Sequence, residues 1–166
     1  MLGACHGMRG PLASAELVPL SAAGREPLFF FGTLMDESVL SYVLGRELGG
    51  DELAAAVIEG FRRVCTRVGS YPVLVPASGE QVEGRLLRRA SRRDIARINH
   101  FESEEYHAEL HLVRWHGGAG PAWLYRGLEH LEILDEPWSL AAWQERHKSG
   151  FFAACARWMQ DFQEPP

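Results

Sequence analysis

The sequence predicts an α+β domain on three observations. Short apolar runs and period-two alternations crowd the stretch from Leu28 to Tyr125. Helical periodicities fall between and after them, and the two kinds of segment do not alternate regularly enough for a βαβ series. The chain has 166 residues, which fits one domain with a core that needs no metal or disulfide to hold it. The expected partition is a loose N-terminal extension over residues 1–26 and a folded domain over residues 27–166.

The elements follow from local chemistry. Leu28-Phe29-Phe30-Phe31, between Pro27 and Gly32, reads as a buried strand. Asp36 is placed to cap a helix whose apolar stripe is Val39, Leu40 and Val43, and Gly45 is a natural stop. Leu53 to Val68 is apolar and β-branched in patches, with Gly60 marking a bend. Tyr71 to Pro76 is a short segment between two prolines. Ser78-Gly79-Glu80 is turn chemistry, and Val82, Gly84 and Leu86 then alternate with polar residues as a strand does. Ser91-Arg92-Arg93-Asp94 has the form of a capping box, opening a helix with Ile95 and Ile98 inward. Ala108, Leu110 and Leu112 alternate with His107, Glu109 and His111 in the pattern of a half-buried strand. Gly117 to Pro121 reads as a loop and Ala122 to Tyr125 as a strand. A long helical region from Ser139 to Phe162, interrupted near Ser149-Gly150, carries a thick apolar stripe.

Composition narrows the function. The hydrophobic fraction is 46% and the charged fraction 23%, as in an ordinary globular protein. A net charge of −5 argues against a dedicated nucleic-acid binder. No apolar run reaches the length of a membrane span, and no signal peptide is expected in the Gly-, Ala-, Ser- and Pro-containing N-terminus. Cys5, Cys65 and Cys155 are scattered and odd in number, which gives no disulfide framework and favours a reducing, cytoplasmic setting.

Two features could carry chemistry. Glu102 lies seven residues after Ile95 and four after Ile98, on the face that those isoleucines bury. A carboxyl in an apolar pocket has a raised pKa and can take and return a proton in one cycle. The alternative is a helix-end glutamate curling to solvent. Gly32-Thr33-Leu34 follows a buried strand, so its amides can bind a carboxylate or oxyanion, or it can be an ordinary βα turn. No lysine follows with P-loop spacing, so a phosphate site is not indicated.

Three motifs in order resemble the γ-glutamylcyclotransferase-like, or AIG2-like, family. Phe29 to Leu34 looks like its strand ending in Tyr-Gly-Ser/Thr-Leu. Tyr71 to Pro76, with Val82 to Leu86 after it, is similar to its Tyr-Pro segment and Val-x-Gly strand. Ile98 to Tyr106 looks like its Leu-Asp-x-Phe-Glu-Gly-x-x-Tyr. Phe31, Asn99 and Ser103 depart from the motifs' Tyr, Asp and Gly.

The resemblance implies a small mixed β-barrel flanked by helices, with Glu102 as catalytic acid–base. It implies substrate binding at Phe31, Gly32, Thr33 and Leu34, and at Tyr71, Tyr106 and Tyr125. The implied reaction cyclises a γ-glutamyl amine or peptide to 5-oxoproline, with no cofactor and no metal. The partner is then a small γ-glutamyl compound, with no nucleic acid and no membrane, and no oligomeric state is assigned.

The altered motif positions leave a second reading open, a non-catalytic domain of the same fold that binds a carboxylate. Arginines 85, 88, 89, 92 and 93 read as a solvated strand edge and helix start rather than an anion site. His107 and His111 share a strand face but show no third metal ligand. Cys65 reads as a small hydrophobe, and Trp138, Trp143 and Trp158 as packing residues.

Overall fold

The computed structural model describes residues 18–19, 25–67, 70–103, 106–127 and 132–166. In chain order the elements are β1 (Arg25–Phe30), α1 (Glu37–Leu44), β2 (Leu53–Thr66), β3 (Pro72–Ser91), α2 (Arg92–Glu102), β4 (Tyr106–Trp115), β5 (Gly118–Gly127), β6 (Ile133–Pro137), α3 (Leu140–Arg146) and α4 (Lys148–Gln160). The fold is α+β, with one mixed six-stranded sheet in the order β3-β1-β5-β4-β2-β6.

A further pairing of β3 with β2 returns the sheet to its starting strand, so the first five strands of that order form a circuit. This is how far the implied barrel goes: β1 and β5 are joined by one parallel pair, Leu28↔Trp123. Two apolar cores result. One, among the strands, holds Phe29, Phe31, Ile58, Leu86, Val113 and Leu124. The other packs the sheet on the helices through Leu28, Phe30, Leu40, Ile95, Ile98 and Trp143. The run Leu28–Phe31 is continuously apolar because alternate residues enter different cores.

Gly84 is forced by this arrangement. A Cβ there would overlap the Phe29 ring and the Phe30 carbonyl, so β3 crosses β1 only with a hydrogen at that position.

The helix signals are met. Asp36 caps α1, accepting from the amides of Ser38 and Val39 at 3.1 Å each. Gly45 ends it in the left-handed region, with φ 67°. The capping box at Ser91 and Asp94 is complete. The buried Asp94 also takes a bidentate pair from Arg46 at 2.9 and 3.0 Å. Burial opposes ionisation of Asp94, but Arg46 and Ser91 outweigh it and hold its pKa below the usual carboxylate value. The start of α2, and so the heading of Glu102 at its far end, is pinned.

Several expectations need correction. Val18, in the stretch expected to be loose, is 1% exposed and fills the helix-side core, because burying its side chain is worth about 1.5–3 kcal/mol. The expected boundary at residue 27 falls inside β1, and residues 1–17 and 20–24 lie outside the described set. Ser78-Gly79-Glu80 is no turn between strands. It is a protrusion within β3 opposite Gly60, where the register jumps from Glu59↔Gln81 to Phe61↔Pro76. Gly118 to Pro121 belongs to β5, since Gly118 and Gly120 let the Trp115 ring lie across them.

The two leucines of the β4 alternation face outward, Leu110 51% and Leu112 67% exposed, because the pleat is set by buried Val113. Val68 lies outside the described residues. The break in the final helices falls at His147, and Gly150 lies inside α4. The strand β6 carries no apolar pattern and was not expected.

Ser103, at the end of α2, has φ 60° and ψ −171°, a region occupied almost only by glycine. Restoring glycine should relieve that strain. Ser103→Gly is expected to raise stability by about 1 kcal/mol, and Gly84→Ala to lower it by about 1–3 kcal/mol, both measured by denaturant unfolding.

Candidate active site

The turn after β1 forms one wall of a hollow. Its own hydrogen bonds begin only at Met35, whose amide donates to the Gly32 carbonyl at 2.9 Å, followed by Asp36 to Thr33 at 3.1 Å. The amides of Gly32, Thr33 and Leu34 precede those bonds and have no partner inside the turn. Gly32 packs on Pro72, where a Cβ would meet the ring carbons at 3.1 Å.

The turn is held from two sides. Arg63 of β2 donates from Nη1 to the Phe31 carbonyl at 2.9 Å and the Glu83 carbonyl at 3.1 Å. Its guanidinium lies 5.0 Å from the Trp138 ring centroid, and burial lowers its pKa. On the other side, buried Asp36 takes Gln144 Nε2 and Lys148 Nζ at 2.8 Å each. Burial opposes the charge on Asp36. The bonds from Lys148, Ser38, Gln144 and Val39 outweigh it and hold the carboxyl well below the usual range.

Opposite the turn stands Glu102, the last residue of α2. It lines a cavity of about 50 Å³ together with Phe31, Gly32, Thr33, Leu34 and Tyr71. Tyr106 and Tyr125 complete the wall, with Phe29, Phe30 and Pro72. All eight site residues expected from the sequence thus border one volume. One water needs about 10–15 Å³ by this measure, so the space has room for a few waters or a small head group.

Burial pushes the Glu102 carboxyl up to about 8. Two further features suit that direction. The helix C-terminus disfavours a negative charge, and among the described residues no cation pairs with it. Tyr125 is 4% exposed and donates its hydroxyl proton to Asn99 Oδ1 at 2.5 Å. Burial and the nearby Glu102 charge both raise the Tyr125 pKa. The rings of Tyr71 and Tyr106 meet edge to face at 6.1 Å. Trp138 and Trp143 steady the approach to Tyr71 by donating to the Ser70 carbonyl and hydroxyl at 3.0 and 3.4 Å.

Sequence reasoning assigned no role to Arg63 or to Asn99. Asn99 had a usable signal, since it lies three residues before Glu102 on the same helix face. Arg63 had none, being one arginine among several on an alternating strand.

The histidines form a different group. Glu109 stands between them, 2.7 Å from each Nε2, with Arg126 Nη1 at 3.3 Å. Burial opposes its ionisation, and His111, His107 and Arg126 together draw it down to about 2. Among the described residues no cluster of His, Cys, Asp and Glu could hold a metal ion. Arginines 85, 88, 89, 92 and 93 are all exposed, and among the described residues no helix is long and apolar enough to cross a membrane.

The fold and the cavity define a class: a small α+β domain with a glutamate and a backbone turn bordering one hollow. Residues 28–143 match the family described as "Gamma-glutamyl cyclotransferase, AIG2-like". The chain belongs to that family. It is similar to AIG2-like protein A of Arabidopsis thaliana, 22% identical over 142 residues that cover 83% of this chain and 84% of the relative. It is also similar to AIG2-like protein D of the same plant, 23% identical and covering 83% and 91%. A solution structure from Arabidopsis thaliana superposes with a TM-score of 0.59 at 19% identity, over 90% of this chain and all of that one. A solved gamma-glutamyl cyclotransferase superposes with a TM-score of 0.52 at 10% identity, over 85% and 89%. These likenesses establish the shared fold.

The raised pKa makes stability depend on pH in a defined window. Between the ordinary value of 4.5 and about 8, the folded state holds a proton on Glu102 that the unfolded chain has lost. Stability therefore falls as pH rises through that window, by up to about 1.4 kcal/mol per unit from this group. Asp36 and Glu109 act below it, where their depressed values make stability fall as pH drops. Denaturant unfolding over a pH series is expected to show a slope between 4.5 and 8 that Glu102→Gln flattens.

Proposed function

We propose that this protein is a cyclotransferase that converts a γ-glutamyl amine or peptide to 5-oxoproline with release of the amine. The observation that carries the reading is Glu102, with its pKa near 8, in one hollow with the amides of Gly32, Thr33 and Leu34. Family membership supports the same chemistry.

The substrate contains its own nucleophile, so the site mainly has to hold the reactive fold of the chain. Glu102 in its ionised form, the minority species below about pH 8, takes a proton from the α-ammonium. The freed amine attacks the γ-carbonyl carbon, and negative charge collects on the carbonyl oxygen. The ring closes as the bond to the leaving nitrogen breaks, and Glu102 hands its proton to that nitrogen. The second proton of the ring nitrogen passes to the departing amine through Glu102 or solvent. Amides of the turn hold the α-carboxylate or the developing oxyanion. Tyr71, Tyr106 and Tyr125 wall the glutamyl head, and the small volume leaves the amine portion outside. The reaction as written uses no metal and no cofactor. Free thiols at Cys65 and Cys155 suit a cytoplasmic setting.

One observation favours a second reading. Phe31 puts a bare ring in the cavity wall where the motif has a tyrosine hydroxyl, which suits a carboxylate-binding domain without turnover.

A panel of γ-glutamyl compounds separates the two. Release of 5-oxoproline is expected from the wild type, with a loss of about 10²–10⁴-fold in Glu102→Gln. Full turnover in that variant would remove Glu102 from the mechanism. Thermal stabilisation by 5-oxoproline without turnover of any member would favour the binding domain.

A further inference from the structure

A chain of hydrogen bonds runs from the N-terminal segment to the cavity. Asn99 Nδ2 donates to the main-chain carbonyl of Val18 at 2.9 Å, and Asn99 Oδ1 accepts from the Tyr125 hydroxyl. The polarity of this chain is fixed by chemistry. A carbonyl only accepts, so the nitrogen end of the Asn99 amide must face Val18. The oxygen end must then face Tyr125, and the single hydroxyl proton of Tyr125 is spent on it. What the hydroxyl has left is lone pairs.

We propose that Asn99 is a positioning residue that makes Tyr125 a hydrogen-bond acceptor toward the cavity, with the Val18 carbonyl orienting the Asn99 amide. The inference rests on the reading of Glu102 as the acid–base group and deepens it. Tyr125 lines the cavity with Glu102, yet cannot donate to the ionised carboxylate while its proton is held by Asn99. It therefore does nothing to stabilise that charge. The titratable groups around the cavity are Glu102, Tyr71, Tyr106 and Tyr125, with no lysine, arginine or histidine among its lining residues. An acceptor beside a proton-bearing carboxyl suits a ligand N–H donor such as an ammonium. An aspartate at position 99, as in the family motif, would also accept from Tyr125, but it would set a second acceptor against Val18. The asparagine and the docked Val18 thus belong together.

The test reads Glu102 directly. Protein carrying ¹³C-labelled glutamate side-chain carboxyls is titrated by NMR, and Glu102 is the signal missing from Glu102→Gln. Asn99→Leu keeps the bulk and removes the acceptor. The Tyr125 proton is then free to turn to Glu102, and the Glu102 midpoint is expected to fall by about one pH unit. In a Tyr125→Phe background the same substitution is expected to produce no such fall. Should Asn99→Leu fail to fold cooperatively, Asn99→Asp keeps the Tyr125 bond, adds a negative charge, and is expected to raise the midpoint.

An unchanged midpoint in Asn99→Leu overturns the proposal. So does an equal fall with and without the Tyr125 hydroxyl, or a midpoint in Asn99→Asp that does not rise. The readout needs no turnover. Wild-type protein that released no 5-oxoproline would end the cyclotransferase reading and leave the titration result standing on its own.

Discussion

The tightest constraint in this structure is the desolvation of one carboxyl. Glu102 ends α2 where the helix dipole, the cavity walls and the lack of a neighbouring cation among the described residues all disfavour charge. Keeping it there requires α2 to be held firmly. Ile95 and Ile98, both fully buried, lock the helix face. The Ser91–Asp94 box and the Arg46 pair lock its start. Those contacts fix the distant end of an eleven-residue helix, so the carboxyl inherits its position from groups that never meet a ligand.

The facing turn is built with similar economy. Gly84 lets β3 lie close to β1. Arg63 and the Asp36 network then draw the turn's carbonyl and side-chain groups away from the hollow, toward β2 and the final helices. The amides of Gly32, Thr33 and Leu34 make none of the turn's own bonds. Acid and turn sit on different elements that border one volume, with α2 following β3 directly and β3 pairing with β1.

Much of this was legible in the sequence because the signals were local. Caps at Asp36 and Ser91, the glycine stop at Gly45 and the apolar run Leu28–Phe31 each work within a few residues. The i, i+4 and i+7 spacing of Glu102 from the isoleucines placed it on the buried face. What escaped depends on long-range pairing. The inward face of β4 follows from Val113 and its partners across the sheet, not from the count of leucines. The single long β3 arises because β2 runs beside it through a bulge. Arg63 and Asn99 gain their roles from partners 32 and 81 residues away. The departures from the family motifs also read differently with geometry in hand. Ser103 carries backbone strain, Asn99 serves two partners at once, and Phe31 leaves its own part of the wall apolar.

The account stands on Glu102 being uncharged where ordinary glutamates are ionised. A pH-difference infrared spectrum of wild type against Glu102→Gln examines that state directly. Between the ordinary value of 4.5 and about 8, a protonated-carboxyl C=O band is expected in the wild type and absent from the variant. A spectrum without that band, or one in which it disappears together with the surface carboxyls, would contradict the account.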